Sequence, residues 1–181
     1  MDFYAKRSVN YRVSGNGIAG RANLKQTERN QISKQLKRNK MIGTLIARMA
    51  VKGGFDAMNN RDLNKFMKAM GNECVWIYPG NLSVSGTFTG KENVTKWFQH
   101  FQDQFPTRKF TVTHLGMGNI FDFIGNNIVS AKWELELVNK EGQSFKNYGV
   151  TVLTIKGGKV IKGEDFLKTS GGEDFKKLWG E

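Results

Sequence analysis

"GVTVLTIKGGKVIKGEDFLK", residues 149–168, decides how the whole chain is read. β-Branched and apolar residues fill both arms, and Gly157-Gly158 marks the turn between them, which is the composition of a β-hairpin. Taking every second residue of the closing arm puts Ile161, Gly163, Asp165 and Leu167 on one face. Val160, Lys162, Glu164 and Phe166 fall on the other. A carboxylate therefore shares an otherwise apolar row. If that row faces a core, loss of hydration disfavours the charged form of Asp165 and raises its pKa, making it a usable proton donor or acceptor near neutral pH. Burial without a partner is costly, so a Lys, His, Tyr or water should meet it. The bland alternative is a strand-end residue at a sheet edge, satisfied by backbone or solvent.

Upstream of the hairpin the pattern is helices first and strands after. "MIGTLIARMAVKGGFDAMNNRD", residues 41–62, places Ile42, Leu45, Ile46, Met49, Phe55 and Met58 near helical spacing, with Gly53 and Gly54 as an interruption. "RDLNKFMKAMG" continues with a second short helix stopped by Gly71. Residues 74–78 read as a strand, Pro79-Gly80 as a turn, and 82–88 as a second extended piece. "KENVTKWFQHFQDQFP" repeats apolar groups at Val94, Trp97, Phe98, Phe101 and Phe105, a helix with an aromatic face ended by Pro106. Extended segments then follow at 108–117, about 119–124, 127–138 and 144–155. Strands massed after helices predict an α+β domain with an antiparallel sheet.

The 181 residues carry a net charge of +12, unevenly spread. Residues 1–40 hold ten Lys/Arg against Asp2 and Glu28, a net +8. That basic arm has few large aliphatics and predicts little independent structure, apart from a weak helix over 27–38. Its charge suits an acidic protein surface or a nucleic acid backbone as partner, and equally a targeting leader. The single cysteine, Cys74, excludes an internal disulfide and a multi-thiol metal site, and the two histidines exclude a histidine-rich one. No stretch is long and apolar enough for a spanning helix. These features predict an intracellular protein, cytoplasmic or inside an organelle, with no metal and no organic cofactor.

The stretches "FDAMNNRDLNKFMKAMGNECVWIYPG", "SGTFTGKENVTKWFQHF", "NNIVSAKWELEL" and "GVTVLTIKGGKVIKGEDFL" resemble the SnoaL-like branch of the nuclear transport factor two-like superfamily, over roughly residues 42–168. The resemblance implies a cone: a curved antiparallel sheet wrapped around helices, the cystatin-like α+β barrel, with an apolar pocket. It divides the chain into the arm at 1–40, the SnoaL-like domain at 41–168 and a tail at 169–181. In polyketide cyclase-like members an acid on the last strand does acid-base chemistry, and Asp165 stands at that position, preceded by Glu164 where a tryptophan is usual. Ketosteroid isomerases are similar in fold, but this chain has Tyr78 before Pro79 and Thr151 in the strand leading to the last hairpin where they have acids. Limonene epoxide hydrolases resemble it through Lys132, Glu134 and Asp165. Strand phase puts Lys132 and Glu134 opposite the apolar row Val129, Ala131, Trp133, Leu135 and Leu137, hence toward solvent.

The site read from these residues has Asp165 as the catalytic acid-base group. Trp76, Tyr78, Trp97, Phe101, His114, Trp133 and Thr151 line a pocket for a small hydrophobic organic ligand. Packing alone accounts for the aromatic residues equally well, and His114 enters because it alternates with Phe110 and Val112. The fold implies a homodimer. The competing function is a non-catalytic scaffold or accessory subunit, docked through residues 1–40, with Phe175, Leu178 and Trp179 of the tail packing on a neighbour.

Overall fold

The computed structural model describes residues 16–118 and 125–181 and, within the first helix, the side chains of residues 26–35 and from 48 onward. The chain divides into two units, Met1–Arg38 and Asn39–Glu181. Helix α1 spans Asn16–Asn59. Residues 16–40 are thus helical where their composition predicts little order, because Lys, Arg, Gln and Leu are strong helix formers. Their side chains at 26–35 are all exposed. Gly53 and Gly54 do not interrupt the helix. Neither marks a forced close approach: a Cβ on Gly53 would meet nothing within 4 Å, and one on Gly54 only the Phe66 ring at 3.9 Å. Their cost is offset by the burial of Val51, Ala57 and Met58 on the same segment. Met49, predicted on the apolar face, is 65% exposed.

The remaining elements follow in chain order: α2 (Leu63–Lys68), β1 (Met70–Tyr78), β2 (Gly86–Thr89), α3 (Lys91–Gln104), β3 (Thr107–Met117), β4 (Asn127–Val138), β5 (Ser144–Lys156), β6 (Lys159–Leu167) and α4 (Glu173–Trp179). Asp62 caps α2 by accepting a hydrogen bond from the Lys65 amide at 2.8 Å. The extended piece expected at about 119–124 lies outside the described residues.

The strands form one curved, unclosed sheet in the order β2-β1-β6-β5-β4-β3. Four of its five pairings are antiparallel, and the fifth, β1 with β6, is parallel. That parallel seam sets Trp76 opposite Gly163. The β5–β6 turn is the two-residue hairpin read from the sequence, with φ of 54° at Gly157 and 74° at Gly158, as its type requires at both positions.

The apolar row of β4 behaves as its alternation predicts, with Val129, Ala131, Trp133, Leu135 and Leu137 all buried. On α3, Val94, Trp97, Phe98 and Phe101 form the buried stripe. Each such ring contributes about 1.5–3 kcal/mol by leaving water. The tail corrects the expectation drawn from it: Phe175, Leu178 and Trp179 pack into the core of this chain, at 3%, 4% and 4% exposure. They sit at i, i+3 and i+4 of a short helix, so one face carries all three inward. The Leu178 carbonyl accepts from Gln104 Nε2 at 2.8 Å and Asn139 Nδ2 at 3.2 Å, which pins α4 to the domain.

Candidate functional site

Two tryptophans and two glycines build the site. Across the β4–β5 pair, Trp133 faces Gly149, and across β1–β6, Trp76 faces Gly163. In both places the glycine lacks the atom that would collide with the indole. A Cβ on Gly163 would lie 2.1 Å from the Trp76 ring, and one on Gly149 2.9 Å from that of Trp133. Each indole therefore lies down over the neighbouring strand. Each then reaches the inward residue two positions beyond the glycine.

Trp133 Nε1 donates to Thr151 Oγ1 at 2.9 Å, and Trp76 Nε1 donates to Asp165 Oδ2 at 3.0 Å. Thr151 and Asp165 are themselves cross-strand partners, and the Thr151 hydroxyl donates to Asp165 Oδ1 at 2.6 Å. The result is a relay over four strands, Trp133 to Thr151 to Asp165 from one side and Trp76 to Asp165 from the other. Each carboxylate oxygen accepts one hydrogen bond.

Asp165 is 8% exposed. Burial pushes its carboxyl up to about 6, against the pull of the Thr151 and Trp76 hydrogen bonds, which favour the ionised form. The Tyr78 phenol is driven well above its usual range, first by burial and then by the nearby Asp165 carboxylate, so it stays protonated. A carboxyl balanced near neutrality beside a permanently protonated phenol can take up a proton and give it back.

Both groups line an apolar cavity of about 130 Å³ between the inward strand rows and the helices. Trp76, Tyr78, Trp97, Phe101, Trp133 and Thr151 are all on its wall with Asp165. So is Trp179 of α4, whose buried indole N–H has no hydrogen-bond acceptor among the described residues. Its i, i+3, i+4 spacing with Phe175 and Leu178 was the available signal for an inward helix face.

His114 is the exception among the expected wall residues. The β3–β4 register slips between Val112 and His114, so Val112 pairs with Trp133 but His114 pairs with Lys132. That bulge reverses the strand's phase and puts His114 on the exposed side, while Leu115 takes the inward place opposite Ala131. A second slip, between Thr154 and Ile155 on β5, turns Val160 inward beside Asp165's row. Lys132 and Glu134 are exposed and face away from the cavity, so the hydrolase-like trio with Asp165 is not assembled.

A family model described as the SnoaL-like domain matches residues 51–162. No curated protein matches the chain. Among solved structures, a nuclear transport factor two-like protein of unknown function from Burkholderia pseudomallei is similar at 17% identity, covering 72% of this chain and 91% of its own, with a TM-score of 0.59. A putative isomerase from Bacillus subtilis is similar at 16% identity over 70% of this chain and 88% of its own, TM-score 0.58. A protein of ketosteroid isomerase-like fold from Catenulispora acidiphila, in complex with trimethylamine, is similar at 15% identity over 67% and 85%, TM-score 0.53. At these identities the likeness is one of fold.

Proposed function

This chain belongs to the SnoaL-like domain family, and on that footing we propose that its cavity binds a small, largely hydrophobic organic molecule on which Asp165 acts as acid-base group. The reactions within its reach are those needing one proton taken and returned: cyclisation, isomerisation, dehydration or addition of water. The observation that carries the reading is the placement of Asp165, a carboxyl poised at about 6 on the wall of an apolar cavity, with both oxygens oriented by fixed donors. Support for a small ligand comes also from the similar fold that holds trimethylamine. Cavity size sets the scale: at about 130 Å³ it approaches the roughly 150 Å³ apolar cavity that admits benzene, so a single ring fits and a steroid does not.

The test follows proton abstraction directly. With cyclohexanone in heavy water, NMR should show exchange at the α-carbon above the buffer rate, rising with pH around 6 and lost in Asp165→Asn. Exchange that is unchanged in that variant would remove Asp165 from the mechanism.

The second reading, a docked accessory subunit, draws on the net +8 of residues 1–40 and the exposure of residues 26–35. Deleting residues 1–40 should then abolish salt-sensitive binding to a polyanion such as heparin; binding that survives the deletion defeats it.

A further inference from the structure

The wall of the cavity is electrically one-sided. Among the described residues that line it there is one carboxyl, Asp165, and no lysine, arginine or histidine. Among the described residues nothing cationic faces Asp165, which accepts hydrogen bonds from the two neutral donors Trp76 and Thr151. The rest of the wall is unusually rich in rings. Trp76 and Tyr78 come from β1, Trp97 and Phe101 from α3, Trp133 from β4 and Trp179 from α4. They also contact each other closely, Tyr78 with Trp97 at 4.8 Å and Trp97 with Trp179 at 6.2 Å between centroids. Aromatic rings carry negative faces that attract organic cations, and the attraction grows when water is excluded. A buried carboxylate without a counter-ion adds a full charge of the same sign.

From this arrangement we propose that the cavity selects a small organic ammonium, a methylated or alkylated amine, over a neutral molecule of the same shape. The inference rests on the small-molecule reading above and names its ligand class. Size agrees: a tetramethylammonium ion has fewer heavy atoms than benzene, and the cavity of about 130 Å³ is near that scale. Asp165 supplies the counter-charge on one side and the rings supply the remaining walls. The hydrogen bonds from Thr151 and Trp76 leave the second lone pair of each carboxylate oxygen free for the ligand.

The experiment compares tetramethylammonium chloride with tert-butanol, its neutral counterpart in shape, on the full chain at pH 8. Tryptophan fluorescence is the readout, since four indoles line the cavity, and equal sodium chloride is the ionic control. Tetramethylammonium should bind at least tenfold more tightly than tert-butanol. Asp165→Asn should cut that preference several-fold, leaving only the part that the rings supply, and should change tert-butanol binding less than cation binding. Phe101→Leu, which keeps an apolar wall and removes one ring, should weaken the cation several-fold more than it weakens the alcohol. If tert-butanol binds as well as the cation to the unaltered protein, or if Asp165→Asn keeps the preference undiminished, the ammonium inference falls and the small-molecule pocket stands. If neither probe nor cyclohexanone perturbs the fluorescence, both readings fall.

Discussion

Asp165 on β6 and Glu136 on β4 are carboxylates of the same sheet, and the sheet treats them in opposite ways. Asp165 faces inward, touches no cation among the described residues, and is pushed up to about 6 by burial. Glu136 faces out, lies 2.6 Å from Lys146 on the next strand, and is held below its usual value by that hydrogen bond and charge. What separates them is strand phase. An inward position trades water for two oriented donors and a neutral wall, which leaves the proton's affinity tunable; an outward one trades nothing and gains only a screened ion pair.

The strongest way to break this contrast is to let water reach Asp165. Trp179 touches Trp97, Phe101, Phe105 and Tyr78 and walls the cavity from the α4 side. Replacing it with Ala should lower unfolding stability by about 3–5 kcal/mol, read in denaturant. Because the cost of burial is what raises Asp165, its pKa should fall back toward the ordinary carboxylate range in the same variant, as followed by NMR titration.

Second in size is the pH dependence of stability. Asp165 rises from 3.8 to about 6 on folding, so the folded chain binds the proton more tightly than the unfolded one. Its contribution is complete below about pH 4 and is lost as pH rises through 6, a change of about 3 kcal/mol. Asp165→Asn should flatten this segment of the stability profile and be no less stable than the parent at pH 8. Its amide can still accept from Trp76 and donate to the Thr151 oxygen. A profile with the same slope between pH 4 and 6 in both proteins would assign the effect elsewhere.

Third, Thr151→Val keeps shape but removes the hydroxyl that joins the two halves of the relay. Trp133 loses its acceptor and Asp165 loses one donor to its charged form. Stability should drop by about 2 kcal/mol, and the Asp165 titration should move up from about 6. A downward movement would mean that Thr151 is not donating to the carboxylate.

How much of this could be read from residues alone depends on whether the signal is periodic. The β4 row from Val129 to Leu137 and the α3 stripe through Trp97 and Phe101 are strict repeats, and they landed as their spacing dictates. Asp165 was visible as an acid in an apolar row for the same reason. His114 was misplaced because a bulge adds a residue without any mark in composition, and every position after it changes face. The parallel β1–β6 seam is a tertiary choice, invisible to local pattern; the tail's apolar face was legible in the spacing of Phe175, Leu178 and Trp179, but not the surface it packs against. The glycines hold an intermediate place. "GVT" at 149–151 and "GED" at 163–165 repeat a spacing of glycine, any residue, polar residue, but only the register shows that a tryptophan lies across each.

The smallest effect is the control on the outer face, and its sign is the informative part. Glu136 is held below its usual value, so whatever it contributes is present at neutral pH and disappears as pH falls through its own titration, opposite to Asp165. It is exposed, and its pairing with Lys146 competes with water and dissolved ions. Glu136→Gln should leave the unfolding midpoint unchanged within measurement at moderate salt, and raising the salt should not separate variant from parent. The Asp165 slope should persist under the same salt, because ions do not penetrate to a buried group. A clear loss in Glu136→Gln would mean that the outer face of β4 is covered in solution, and that the dry and wet faces of this sheet are less different than their carboxylates indicate.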